Sequence, residues 1–227
     1  MEDIKDILND FDARLDADLT IRVNSLKSDL DVKVSRLTNK NKAIEDLQYE
    51  RDLIKNDIIR YIKSEYYGSS ANIFAYIKSE VRCEAWLYFN HKDDEKFEWK
   101  ENAKKDKNSK YSKKESETAF NYLTDVVRSK FDLNKEKFEL KELYDFWNGK
   151  ALEYIFEYKK EDNSLVTIQL DIPDFSMISD ESCDYFLAGY RAAVKDPNSD
   201  YVWNTIAADL DYRVIRDKIK NLIKENE

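Results

Sequence analysis

Residues 37–70, "LTNKNKAIEDLQYERDLIKNDIIRYIKSEYYGSS", hold the first glycine of the chain, Gly68, and no proline precedes it either. The whole chain of 227 residues has three glycines and two prolines, far below the usual ~7% and ~5%. Few sharp turns are encoded, so long helices should dominate.

Back from Gly68 to the amino terminus, the apolar residues keep one rhythm. They run Ile4, Leu8, Phe11, Leu15, Leu19, Val23, Leu26, Leu30, Val34 and Leu37, then Ile44, Leu47, Ile54, Ile58 and Tyr61. The steps are threes and fours, with Asn41 and Arg51 at two places where an apolar residue is due. Up to Leu37 the mean step is about 3.67, nearer an eleven-residue repeat than a heptad; beyond it the spacing is heptad-like. The stripe is one residue wide at most levels. A helix lying on a globular core shows a broader apolar face, whereas a thin seam is what a coiled coil presents. A polar residue on the seam, here Asn41, commonly sets register. The candidate oligomerisation seam is therefore Leu19, Val23, Leu26, Leu30, Val34, Leu37, Asn41, Ile44, Leu47, Ile54 and Ile58.

One continuous rod of some 64 residues would run roughly 95 Å. The alternative is a helical hairpin, with "TNKNK" at residues 38–42 as its loop and Asn41 capping the second arm. That loop would lack glycine and proline, so the rod is favoured. A thin seam needs a second helix in either case. Packing onto the protein's own C-terminal domain would cover only part of so long a segment.

The expected fold class is mainly α within α+β: a stalk over residues 1–67, then an α+β domain over 68–227 with a small antiparallel sheet. In that domain "ALEYIFEY" and "SLVTIQLDI" (residues 151–158 and 164–172) alternate around a short polar turn, the pattern of a β-hairpin. "ESETAFNYLTDVVRSKF" (residues 115–131) has helical spacing through Phe120, Leu123, Val127 and Phe131. Further helices are expected over 70–82, over 134–149 with Asn134 as cap and Gly149 as stop, over 180–195, and over 201–224. "CEAWLYFN" (83–90) and "KFEWK" (96–100) suggest a short second hairpin. "KENAKKDKNSKYSKKESE" (100–117) is expected to be a mobile lysine-rich loop.

Thirteen per cent aromatic residues argue against disorder, although 37% of the chain is charged. The formal net charge is -9, concentrated in residues 1–31 and 144–227, while the middle is balanced. A general nucleic-acid binder would carry a basic excess somewhere. Two distant cysteines, Cys83 and Cys183, read as reduced thiols in a cytoplasmic setting, a bacterial host cytoplasm or a phage particle. The acidic first residues do not resemble a secretion signal, and no apolar run is long enough for a bilayer. The weight of Lys, Asn, Ile and Tyr is that of an AT-rich genome, which points to a bacterial or phage source.

Few residues suggest catalysis. His91 is the only histidine, and neither cysteine stands in a nucleophile motif. Glu157-Tyr158-Lys159, with Asp171 on the partner strand, resembles the acid-x-lysine grouping that places a divalent ion in many nucleases. Its order is reversed, and such triplets are frequent in a charge-rich chain. Lys104, Lys105, Lys107, Lys110, Lys113 and Lys114 are the best candidates for phosphate contact, diluted by Glu101, Asp106, Glu115 and Glu117. An acidic patch of Asp171, Asp174, Asp180, Glu181 and Asp184 lacks the spacing of a calcium loop; Asp209 and Asp211 are expected on the surface of the last helix.

These features favour a non-enzymatic assembly or adaptor protein with no cofactor, self-associating through its first helix and binding a protein partner, with no membrane contact. A nucleic-acid-binding protein or metal-dependent nuclease is the alternative. An acidic inhibitor of a nucleic-acid-handling host enzyme is weaker.

Overall fold

The computed structural model describes residues 4–66, 68–101, 108–199 and 201–224. Helix α1 runs unbroken over Ile4–Tyr66, so the rod forms and the hairpin does not. Residues 38–42 stay helical because nothing there breaks the backbone ladder; the Thr38 hydroxyl donates back to the Val34 carbonyl at 3.0 Å. The chain divides into two compact units, Met1–Ile54 and Lys55–Glu227. The last turns of α1 belong to the second, where Ile59 and Ile62 are buried.

In the second unit a looped segment leads to α2 (Ser79–His91), then α3 (Lys113–Phe131). Strands β1 (Phe138–Phe146), β2 (Ala151–Lys159) and β3 (Leu165–Pro173) follow. Short α4 (Cys183–Ala188), β4 (Tyr190–Lys195), β5 (Trp203–Asp209) and α5 (Tyr212–Lys224) complete it. The five strands pair antiparallel in sequence order.

The β2–β3 hairpin, α3 and a helix over the last residues stand as expected, while the other segments differ. "CEAWLYFN" is helical, not strand, because α2 starts later and runs further than its apolar spacing suggested. Its inward face takes in Arg82 and Glu84 as well as Ala85. Phe97 and Trp99 are buried, but as side chains of an irregular segment, with Phe97 stacked on His91 at 4.3 Å. Residues 134–149 form β1 and a turn, not a helix. A register shift between Leu140 and Glu142 puts the next inward residue at Leu143, and that step of three imitates a helix. Trp147, Asn148 and Gly149, all at positive φ, then turn the chain into β2.

Residues 180–195 are helical only to Ala188. Gly189, at φ 74°, ends α4 and starts β4; its Cα lies against the Asp209 carbonyl of β5. Residues 203–209 likewise pair as a strand before the final helix, so Asp209 ends β5 and Asp211 precedes α5. Of the expected lysine-rich loop, residues 102–107 lie outside the described residues, and its last residues are helical, because Ser112 and Glu115 close a capping box that starts α3 at Lys113.

The core lies between one face of the sheet and the helices. Tyr154, Phe156, Ile168, Leu170, Tyr190 and Ala192 line that face; Leu123, Val127 and Phe131 of α3 join Ile215 and Ile219 of α5 above it. Tyr190 also fixes the segment after α1, accepting from the Ile73 amide at 3.0 Å and donating to the Ala71 carbonyl at 2.8 Å.

Candidate functional site

The predicted seam lies open along α1. Leu26 is 68% exposed and Val34 53%; Leu19, Val23, Leu30, Leu37, Ile44, Leu47 and Ile54 are exposed too. Asn41 is exposed among them. Ile58 differs: it is half-buried against the core of the second unit. Short-range ion pairs occupy the helix flanks, Arg14 with Asp10 at 2.8 Å and Arg22 with Asp18 at 3.0 Å. Such pairs support an isolated helix by only a few tenths of a kcal/mol each, and cover none of the apolar side chains. So long a run of large apolar groups facing solvent goes well beyond the singly scattered apolar residues ordinary on protein surfaces.

Of the lysine candidates, Lys104, Lys105 and Lys107 lie outside the described residues. Lys110 pairs with Glu80 of α2 at 3.1 Å. The Lys113 amine donates to the Lys92 carbonyl, and its backbone amide to Glu101 at 2.8 Å. Lys114 is exposed on the first turn of α3. Buried Glu84 ties down the approach to α3, accepting from Ser109 and Ser116 hydroxyls at 2.6 and 2.9 Å.

The hairpin register separates the proposed nuclease residues. Glu157 stands opposite Thr167 and pairs with Lys141 at 3.1 Å, and Lys159 is exposed at the end of β2. Asp171 instead faces Glu153, four residues and roughly 13 Å along the strand from Glu157. Asp171 is buried and accepts from Arg191 at 2.7 Å and Gln169 at 3.0 Å; Gln169 also donates to Glu153 at 2.6 Å. Sequence reasoning missed Glu153. Its partner follows from pairing Lys159 with Leu165 and counting back, so the hairpin itself carried the signal.

Burial, then the Asp171 charge, push the Glu153 carboxyl up from 4.5 to about 7. Tyr185 of α4, half-buried nearby with its hydroxyl buried and unpartnered, is also pushed up, by burial first and then by Asp171 and Glu153. A carboxyl raised by folding favours the fold while protonated. Its stabilising contribution is complete below pH 4.5 and lost as pH rises through about 7. Glu153→Gln should therefore match the native chain near pH 4.5 and exceed it at pH 8 by about 1–2 kcal/mol, discounted for the partial exposure of Glu153. Denaturant titrations at the two pH values measure this; an equal difference at both would discard the account.

Cys83 and His91 are not a pair. They stand eight residues apart on α2, roughly 12 Å. Cys83 faces Asp145 at 3.8 Å, and burial with that carboxylate lifts its thiol to about 11. In the acidic patch, Asp174 is buried in an ion pair with Arg82 at 2.9 Å, and the Asp180 carbonyl accepts from Lys55. Among the described residues no group of three or more His, Cys, Asp or Glu is placed to hold a metal ion. Among them, too, no helix is long and apolar enough to cross a membrane.

No protein-family model, curated protein or solved structure matches the chain.

Proposed function

We propose that this chain is a non-enzymatic assembly or adaptor protein, of phage or prophage type, which self-associates through α1 and engages a further protein through its α+β unit. The exposed apolar seam from Phe11 to Ile54 carries this reading. Each seam residue removed from water contributes about 25 cal/mol per Å² of apolar area, and a second helix along the seam removes area from every turn. The helix itself also gains. Outside tertiary contact, even a long helix rests on weak propagation terms, and α1 contains β-branched and Asn residues of modest propensity.

Sedimentation velocity over a hundredfold range of concentration tests the reading. The native chain should sediment at twice 27.0 kDa or more at the upper concentrations. The double substitution Val23→Asp with Leu30→Asp should return it to a single copy while the second unit keeps its melting transition. A native chain that stays at 27.0 kDa throughout would remove the proposal.

A further inference from the structure

The charges on α1 choose among the ways two copies could pair. Residues 10–18 carry Asp10, Asp12, Asp16 and Asp18 against Arg14 alone. Arg14 and Arg22 are each engaged four residues back, by Asp10 and Asp18, so Asp12 and Asp16 dominate this block outwardly. Residues 33–42 carry Lys33, Arg36, Lys40 and Lys42, with no acid anywhere between Asp31 and Glu45. The helix thus has an acidic block over 10–18, a basic block over 33–42 and a second acidic block over 45–52, where Glu45, Asp46, Glu50 and Asp52 stand against Arg51 alone, all within the exposed stretch.

Two parallel copies in register would lay acid beside acid and base beside base. At interhelical distances of 8–10 Å, about one Debye length at physiological salt, that repulsion is only partly screened. Two antiparallel copies reverse the match. The first acidic block and the basic block are centred near residues 14 and 37–38, so superposing one on the other places a two-fold axis at residue 26, where the seam has Leu26. About that point the seam also mates with itself to within one residue: Leu15 falls opposite Leu37, Leu19 beside Val34, and Val23 beside Leu30. The basic block could also be superposed on the second acidic block, about residue 43, but there Leu30 falls opposite Asn56, Ile44 opposite Lys42 and Leu47 opposite Asn39, so charge and seam together select residue 26. Asn41 then meets Phe11 of the second copy.

From these features we infer that α1 pairs with a second copy of this chain in antiparallel orientation, two-fold about Leu26, acidic block against basic block in both halves. The inference rests on self-association through α1 and adds its geometry. The interface is isologous, as closed two-fold dimers require. An overlap of residues 8–44 runs about 55 Å, long enough to reach the roughly 800 Å² per partner of a stable complex.

Zero-length carbodiimide coupling of the native chain, at a concentration where it is associated, tests the orientation. Carboxylates of residues 10–18 should join lysines of 33–42 in the recovered peptides. Along one helix these groups are more than ~20 Å apart, so the joins must link two copies. The variant Lys33→Gln, Arg36→Gln, Lys40→Gln, Lys42→Gln should dissociate at concentrations tenfold or more above the native chain. Parallel pairing predicts the opposite sign, tighter association once the basic block is neutral, with joins confined to near neighbours such as Lys33 and Asp29. That result overturns the orientation and leaves self-association standing. Failure of the native chain to associate overturns both.

Discussion

Arg82→Met is expected to lower the stability of the second unit by roughly 3–5 kcal/mol, the range seen when one partner of a buried ion pair is removed. Arg82 is fully buried. Its guanidinium donates to the carbonyls of Gly149 and Ile77, and to Asp174 at 2.9 Å. Asp174 in turn accepts from the Asn72 amide at 2.8 Å and the Ser176 hydroxyl at 2.6 Å. One side chain thus joins the segment after α1, helix α2, the β1–β2 turn and the end of β3. Burial drives the Arg82 pKa down, opposed by Asp174, and methionine would leave that carboxylate without its counter-charge. Against a total of 5–15 kcal/mol for a typical domain, the loss is a large fraction. Adding Asp174→Asn should recover part of it, because the stranded charge is then gone. Urea denaturation measures all three variants; a loss below about 1 kcal/mol for Arg82→Met would show that the pair contributes little.

Gly149→Ala should cost about 3 kcal/mol or more, for two reasons that add. The residue sits at φ 77°, where an L side chain loses about 1–2 kcal/mol. A Cβ there would also run into the carbonyl oxygen of Ser79 and lie 3.0 Å from the Cys83 sulfur. Ser79 is backbone of the first turn of α2, so relief requires a helix to move. Gly68→Ala separates the two contributions. Its φ is 69°, but its new Cβ would meet only the end of the Tyr76 side chain, with the hydroxyl nearest at 3.1 Å, and Tyr76 is exposed. That variant should lose about 1–2 kcal/mol, and equal losses at both sites would refute the steric half of the explanation. The Gly149 effect should not add to that of Arg82→Met, since both disturb the same carbonyl.

The long helix was legible because its evidence is cumulative: sixty residues without a breaker, stepping by threes and fours. The β2–β3 hairpin was legible because both strands alternate without interruption. β1 was not, since its bulge replaces one step of two with a step of three and a glycine follows where a helix would stop. β4 and β5 were misread for a different reason. "RAAV" and "TIAAD" carry residues that suit a helix, and their strand state comes from pairing with neighbours, Ala192 with Leu170 on one side and Ala207 on the other. Gly189, between two apolar segments, was the available signal for the change from helix to strand. At the site level, the apolar seam needed only spacing, whereas the Glu153–Asp171 pair needed a register. The polar anchors Arg82 and Glu84 carry no mark in the sequence that distinguishes them from surface charges.

The sheet's serial order leaves β1 as a terminal strand with one side unpaired. Its local distortion at Leu140 and Glu142 and its charged Glu139, Lys141 and Glu142 make a poor template for a strand from another molecule. Copies crowded together would gain little by zipping their sheets into a ribbon through this edge. The β1 edge itself therefore offers little purchase for fibre growth.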